Sequence, residues 1–196
     1  ILCPEHKPYP EENLYLNKPN REVFDIWNNF IETFPDDSAL PGFPIWSHEW
    51  GATYPYKNYS PQVATIEELT SSRGIYGERI IGANKDNMLK DFIPRYAQKD
   101  QEKFPDWKIS YIRKNRDFYK KNKEFIDDFV LRNPRLKKLE FSYQKLEWSC
   151  QGAARTFNDK ILQFRPSGLR VKLNNWAPAL TTIRTQNVYI PKLKRR

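Results

Sequence analysis

Residues 162–172 read LQFRPSGLRVK, and the fold of the C-terminal part turns on how this stretch is read. Two short runs, Leu162–Phe164 and Leu169–Lys172, flank the corner Arg165-Pro166-Ser167-Gly168. Proline fixes φ at one turn position and glycine permits positive φ at another, so the corner predicts a hairpin-like reversal. After it, Leu169 and Val171 alternate with Arg170 and Lys172, the period of a strand with one buried and one wet face. The wet face is purely cationic, which suits either a ribbon kept soluble by charge or a surface that receives an anion.

Working outward, "LEFSYQKLEWSCQG", "KILQF" and "NVYIP" are short, aromatic or β-branched and read as further strands. Upstream the period changes to that of helices. In "REVFDIWNNFIETF", capped by Asn20, residues Val23, Phe24, Trp27, Phe30, Ile31 and Phe34 fall on one face and predict a helix over about 21–34. A shorter helix is expected from Ser60 to Ser71, and another in "NKDNMLKDFIPRYAQ", broken or bent near Pro94. "FPDWKISYIRKNRDFYKKNKEFIDDFVLRNP" predicts one long helix over about 105–132, with Arg113, Lys114, Arg116, Lys120, Lys121 and Lys123 at its exposed positions. The Pro- and Trp-rich stretch between the first two helices reads as a packed loop region. Helices followed by a small, mostly antiparallel β region define an α+β class. Residues 1–19 are expected to form an extended arm or linker, and 20–196 a single domain.

Charge separates along the chain. Residues 1–70 hold 4 Lys/Arg against 11 Asp/Glu, whereas 71–196 hold 29 against 13. Within the latter, 147–196 carry 10 basic and 2 acidic residues, so a polyanion meets little repulsion there. With 39% hydrophobic and 15% aromatic residues the chain is expected to fold, and no apolar run approaches membrane-spanning length. Two cysteines make no disulfide framework, the start "ILCPEHKPYP" has no hydrophobic signal core, and a cytoplasmic location is expected. Met88 is the only methionine, and the chain is read as a piece of something longer.

Catalytic signals are sparse. Cys3, His6, His48 and Cys150 are the potential soft metal ligands, but "CPEH" is a half-motif without a second nearby pair, so no metal is expected. "FPDD" and "FPDW" open like a nuclease motif, yet neither is followed at suitable distance by a convincing acidic-x-Lys triplet. No glycine-rich phosphate loop appears, and no catalytic residue is assigned.

Several ordered blocks carry a resemblance. "FDIWNNFIETFPDDSALPGFPIWSHEWGATYPY", "KFPDWKISYIRKNRDFY", "KLEWSCQG" and "QFRPSGLRVK" followed by "NNWAPALTTIRTQN" resemble the target-recognition region of bacterial DNA cytosine-5 methyltransferases. The "APAL-TT" block is similar to that family's short Pro-Thr-Leu signature, with Ala179 in place of the usual threonine. "SCQG" departs from the family's nucleophile loop, since Ser149 stands where that loop has proline. The glycine-rich S-adenosylmethionine site, the Pro-Cys-Gln loop and the other core blocks have no counterpart here.

The resemblance implies a reading head for double-stranded DNA, with S-adenosylmethionine and the catalytic methyltransferase domain belonging to the parent protein. Arg165 and Arg170 are then expected near base edges or flanking phosphates, Ser167 at either, and Lys172, Arg155 and Arg184 on the phosphate backbone. The basic face of the long helix is the competing surface. A restriction-type endonuclease, or a non-catalytic nucleic-acid-binding module that stacks bases on Tyr and Trp, are the other readings.

Overall fold

The computed structural model describes residues 16–99, 103–176 and 187–191. Residues 1–15 of the expected arm, the "APAL-TT" block and Arg184 lie outside them. The chain divides into two compact units, Ile1–Gly42 with Asn133–Arg196, and Phe43–Arg132. The architecture is α+β, as the order of periods predicts. Among the described residues no helix is long and apolar enough to cross a membrane.

The first unit holds helix α1 (Lys18–Thr33) and the strands of the C-terminal part. Helix α1 begins three residues before the predicted start. The cap is Asn17, whose side chain accepts from the Asn20 N–H at 2.9 Å, and Pro19 sits in the first turn, where its missing N–H costs nothing. The helix stops at Thr33, two residues before Pro35, and buries Val23, Ile26, Trp27, Phe30 and Ile31.

Four strands follow in this unit: β2 (Lys145–Ser149), β3 (Lys160–Arg165), β4 (Gly168–Leu173) and β5 (Asn187–Tyr189). Their order is β2-β4-β3-β5, with β2 and β4 parallel and the other neighbours antiparallel. Only "KLEWS" of the segment read as the first strand is extended; the preceding Phe141–Gln144 is a 3₁₀ turn.

In this register Leu146, Trp148, Leu162, Phe164, Leu169 and Val171 share one buried face. Helix α1 covers it: the Phe24 ring meets Phe157 at 5.5 Å and Tyr189 at 6.3 Å, and Trp27 Nε1 donates to the Tyr143 carbonyl at 2.8 Å. The opposite face carries Glu147, Arg165, Arg170 and Lys172.

β3 and β4 are the predicted hairpin, joined by Pro166 and Ser167. Proline cannot take the positive φ that the primed two-residue turns demand at their first position. The positive φ falls instead on Gly168, at 127°. A Cβ there would lie 2.9 Å from both Cβ and the carbonyl oxygen of Lys145 and 3.3 Å from the Ser142 carbonyl oxygen. Gly168→Ala is therefore expected to destabilise by about 2–4 kcal/mol, read as a lower urea midpoint with an unchanged slope.

The second unit contains a two-residue strand β1 (Ile45–Trp46) and helices α2 (Ile66–Ser71), α3 (Lys85–Phe92), α4 (Asp106–Lys121) and α5 (Lys123–Arg132). Helix α2 starts at Ile66 rather than near Ser60, because Thr65 and Glu68 form a reciprocal capping box. The predicted single helix over 105–132 is two: Asn122 leaves the helical region at φ −117°, ψ 29°, and its side chain donates to the Phe118 carbonyl at 2.8 Å. Tyr54, Leu69, Ile80, Ile93, Phe104 and Ile112 belong to the core of this unit. Within the stretch expected to be a packed aromatic loop, β1 and the 3₁₀ turn Ser47–Glu49 that follows it are buried throughout.

Candidate nucleic-acid interface

The exposed corner of the β3–β4 hairpin is Pro166-Ser167. Beside it stands an arrangement that the local sequence did not announce. Arg165 Nη2 donates to Glu147 Oε2 at 2.8 Å, and Arg170 Nε lies 2.9 Å from Glu147 Oε1. One carboxylate on β2 thus holds two guanidiniums, one from each arm of the hairpin. Register explains why: Glu147 is the cross-strand partner of Arg170, which is in turn the partner of Gln163, two residues from Arg165 on the same face.

The fork is partly sheltered, with side-chain exposures of 15% for Arg165, 29% for Arg170 and 21% for Glu147. Shelter raises the energetic stakes of each contact. Desolvation pushes the Glu147 carboxyl up, but the hydrogen bond and charge of Arg170 and those of Arg165 outweigh it and hold the group below the usual carboxylate range. Burial and the neighbouring Arg170 charge pull Arg165 down, against Glu147. Two cations on one anion leave a net charge of +1 held in fixed geometry.

Lys172 extends the same face, half-buried, with Nζ 5.3 Å from the centre of the Trp176 ring. Ser167 is exposed at the corner. The structure therefore brings Arg165, Ser167, Arg170 and Lys172 onto one hairpin.

Arg155 is placed differently. Its Nη1 donates to the carbonyls of Phe34 and Pro35 at 2.9 and 2.7 Å, and its Nη2 to that of Ser38 at 2.6 Å. The guanidinium also lies over the Phe34 ring, 5.7 Å from its centre, and 3.7 Å from Asp36. These contacts satisfy carbonyls just past the end of α1. Arg155→Ala is expected to cost about 2–3 kcal/mol of stability. The salt dependence of any DNA binding should stay as in the wild type, measured by fluorescence anisotropy on a labelled duplex.

On the competing surface, Arg113, Lys114, Lys120, Lys121 and Lys123 are exposed as expected, but Arg116 is not. Its side chain is 10% exposed, with Nε 2.9 Å from the fully buried Glu49. The sequence placed it outward because its neighbours on α4 are charged. Tyr54 and Tyr96 also donate to Glu49 Oε1. Lys120 and Lys123 have carboxylate neighbours in Asp117 and Asp127.

Cys150 is a buried thiol, pushed up to about 11 by desolvation, which makes it a packing group rather than a nucleophile. His48 is 1% exposed, with its ring 6.1 Å from Tyr76 and 6.2 Å from Tyr96. Among the described residues no three potential metal ligands converge.

The hairpin thus presents a basic face, a surface whose charge suits an anionic partner. In comparison with known proteins, the chain is similar to the type II methyltransferase M.AluI of Cellulosimicrobium cellulans, at 29% identity over 198 residues. The match covers 98% of this chain and 37% of that enzyme, so the chain spans little more than a third of its relative's length. The likeness supports a chain related to a DNA methyltransferase. No family model and no solved structure matches the chain.

Proposed function

We propose that this chain is the target-recognition region of a DNA cytosine-5 methyltransferase. It binds double-stranded DNA and positions a cytosine for S-adenosylmethionine-dependent methylation by a catalytic domain outside these residues. Support comes from the methyltransferase likeness, which runs along almost the whole chain yet over a minor share of the relative, and from the ordered recognition-like blocks. The observation that carries the reading is the exposed Pro166-Ser167 corner with Arg165 and Arg170 braced beside it.

The physics fits the task. Methylating a base within a duplex requires taking it from the stack at a cost of roughly a few kcal/mol, so something must grip the duplex meanwhile. An arginine held in a fixed orientation can read guanine N7 and O6 with two hydrogen bonds, worth about 1–3 kcal/mol of discrimination. A lysine ammonium acts as a point charge on phosphate and carries little sequence information. Arg165 and Arg170 take the first role, Lys172 the second, and Ser167 can reach base or phosphate. Arg155 acts by fixing the chain that follows α1.

Salt-dependent duplex binding tests this. If about five phosphates are neutralised, the logarithm of affinity falls against the logarithm of salt with a slope of roughly −4 to −5. Arg165→Ala should flatten the sequence preference recovered from a randomised duplex pool, whereas Lys172→Ala should weaken all sequences alike. A flat salt response, or cleavage of plasmid DNA with Mg²⁺, would overturn the proposal.

A further inference from the structure

A second cationic feature lies in the unit Phe43–Arg132, on the turn "SSRGIYGERIIG" over 71–82. Arg73 and Arg79 are directly opposed across an isolated antiparallel bridge. Opposed residues place their Cβ atoms on the same side, about 4.5–5.5 Å apart, and like charges so placed repel. Both arginines are exposed, and neither guanidinium is in an ion pair among the described residues.

The turn that imposes this pairing is held hard. Tyr76 sits at φ 53°, ψ 26°, a left-handed conformation that a bulky residue avoids. It is kept there by a 2.7 Å hydrogen bond between its hydroxyl and Ser47 Oγ. Gly74 packs so tightly that a Cβ would fall 2.3 Å from the Phe92 carbonyl oxygen. The Gly74 N–H donates to the Glu78 carbonyl at 2.9 Å, and Thr53 and Tyr54 N–H groups both donate to the Arg73 carbonyl. The anchored turn thus holds two like charges together, a repulsion that a bound anion would relieve, and backbone strain of this kind is found at ligand clamps.

Arg73 and Arg79 border an open depression of about 520 Å³ that is also lined by Thr70, Ser71 and Ser72. Those hydroxyls are already donating to the carbonyls of Ile66, Glu67 and Glu68. Among the side chains that line it, donors for a ligand therefore come from the guanidiniums, whose planar forks match tetrahedral oxyanions. We infer that Arg73 and Arg79 form a binding site for a phosphate group, presented either by a nucleic-acid backbone or by a free phosphate ester.

The test compares wild type, Arg73→Gln/Arg79→Gln and a charge-matched control, Lys57→Gln/Lys90→Gln, with melting temperatures recorded for each. Inorganic pyrophosphate is titrated by calorimetry, and the salt slope of duplex binding is measured alongside. In the wild type, the Arg73 and Arg79 Nε–Hε resonances should shift on adding pyrophosphate, a readout that needs no variant. The double arginine variant should bind pyrophosphate at least tenfold more weakly, the control unchanged.

A duplex salt slope shallower by about one to two in the arginine variant assigns the site to nucleic acid. An unchanged slope with lost pyrophosphate binding assigns it to a free phosphate ester. No resonance shift together with an unchanged slope overturns the site. The pyrophosphate arm is independent of the hairpin, so failure of Arg165 and Arg170 to govern duplex binding leaves it intact.

Discussion

Arg116→Met is expected to destabilise the chain by about 3–5 kcal/mol, the largest loss of any single substitution argued from the structure. Glu49 is fully buried, and Arg116 is the only cation in an ion pair with it among the described residues. Arg116 Nη1 also donates to the Tyr54 carbonyl at 3.0 Å, and the guanidinium lies 4.3 Å and 4.5 Å from the ring centres of Tyr54 and Tyr56.

Burial, then the Glu49 charge, raise Tyr54 and Tyr96 well above their ordinary values, so both hydroxyls stay protonated and donate to the carboxylate. Desolvation pulls Arg116 down, but the Glu49 charge, the Tyr54 hydroxyl and the hydrogen bonds to both together more than offset it. Methionine keeps the aliphatic volume and removes the charge, leaving an anion in a low-dielectric interior with only two phenols for company. The double variant Glu49→Gln/Arg116→Met should recover a substantial part, since a neutral amide still accepts from a tyrosine hydroxyl and no charge is stranded. For a chain of this size the single variant should lower the melting temperature by roughly 10 °C, and a shift of only a degree or two would mean that the pair contributes little.

That network shows where sequence reading stops. Helix α1 and the hairpin were legible because each writes its own period: Val23, Trp27, Phe30 and Ile31 along a helix, and Leu169 and Val171 between charges on a strand. Pro166 and Gly168 marked the reversal. The break at Asn122 was hidden because "YKKNKE" is made of helix formers around a single asparagine, and only that side chain's bond to the Phe118 carbonyl turns it into a cap.

Long-range partners left even less trace. Arg155 serves carbonyls about 120 residues earlier, and Arg116 serves a carboxylate 67 residues earlier. The one usable signal for the fork was scarcity. Only Glu147 and Asp159 are acidic in 147–196, and both are taken, Glu147 by the two arginines and Asp159 by Lys160. The parallel pairing of β2 with β4 that brings Glu147 to Arg170 was beyond local pattern, because nothing in "KLEWS" says which edge it will join.

Glu147→Gln is expected to raise affinity for random duplex while lowering sequence preference, a combination that simple damage to the fold cannot produce. The carboxylate does two things at once: it cancels one of two positive charges and fixes the direction of both guanidiniums. Glutamine removes the cancellation and most of the fixing. At about 0.05 M salt, one more neutralised phosphate multiplies affinity roughly tenfold and steepens the salt slope by about 0.9. Freed guanidiniums spend that attraction on phosphates of any sequence, and the preference in a randomised pool contracts.

The same contact sets a pH signature. The Glu147 carboxyl is depressed in the folded state, so its stabilisation is present above the unfolded value of about 4.3 and is lost as pH falls through the lower folded value. Wild type should melt above Glu147→Gln at pH 7, and the gap should close below about pH 4. If the variant instead loses affinity for all duplexes in parallel with its melting temperature, Glu147 serves only the sheet. If it keeps the wild-type preference, the two arginines are not aimed by it, and base reading must come from elsewhere on the chain.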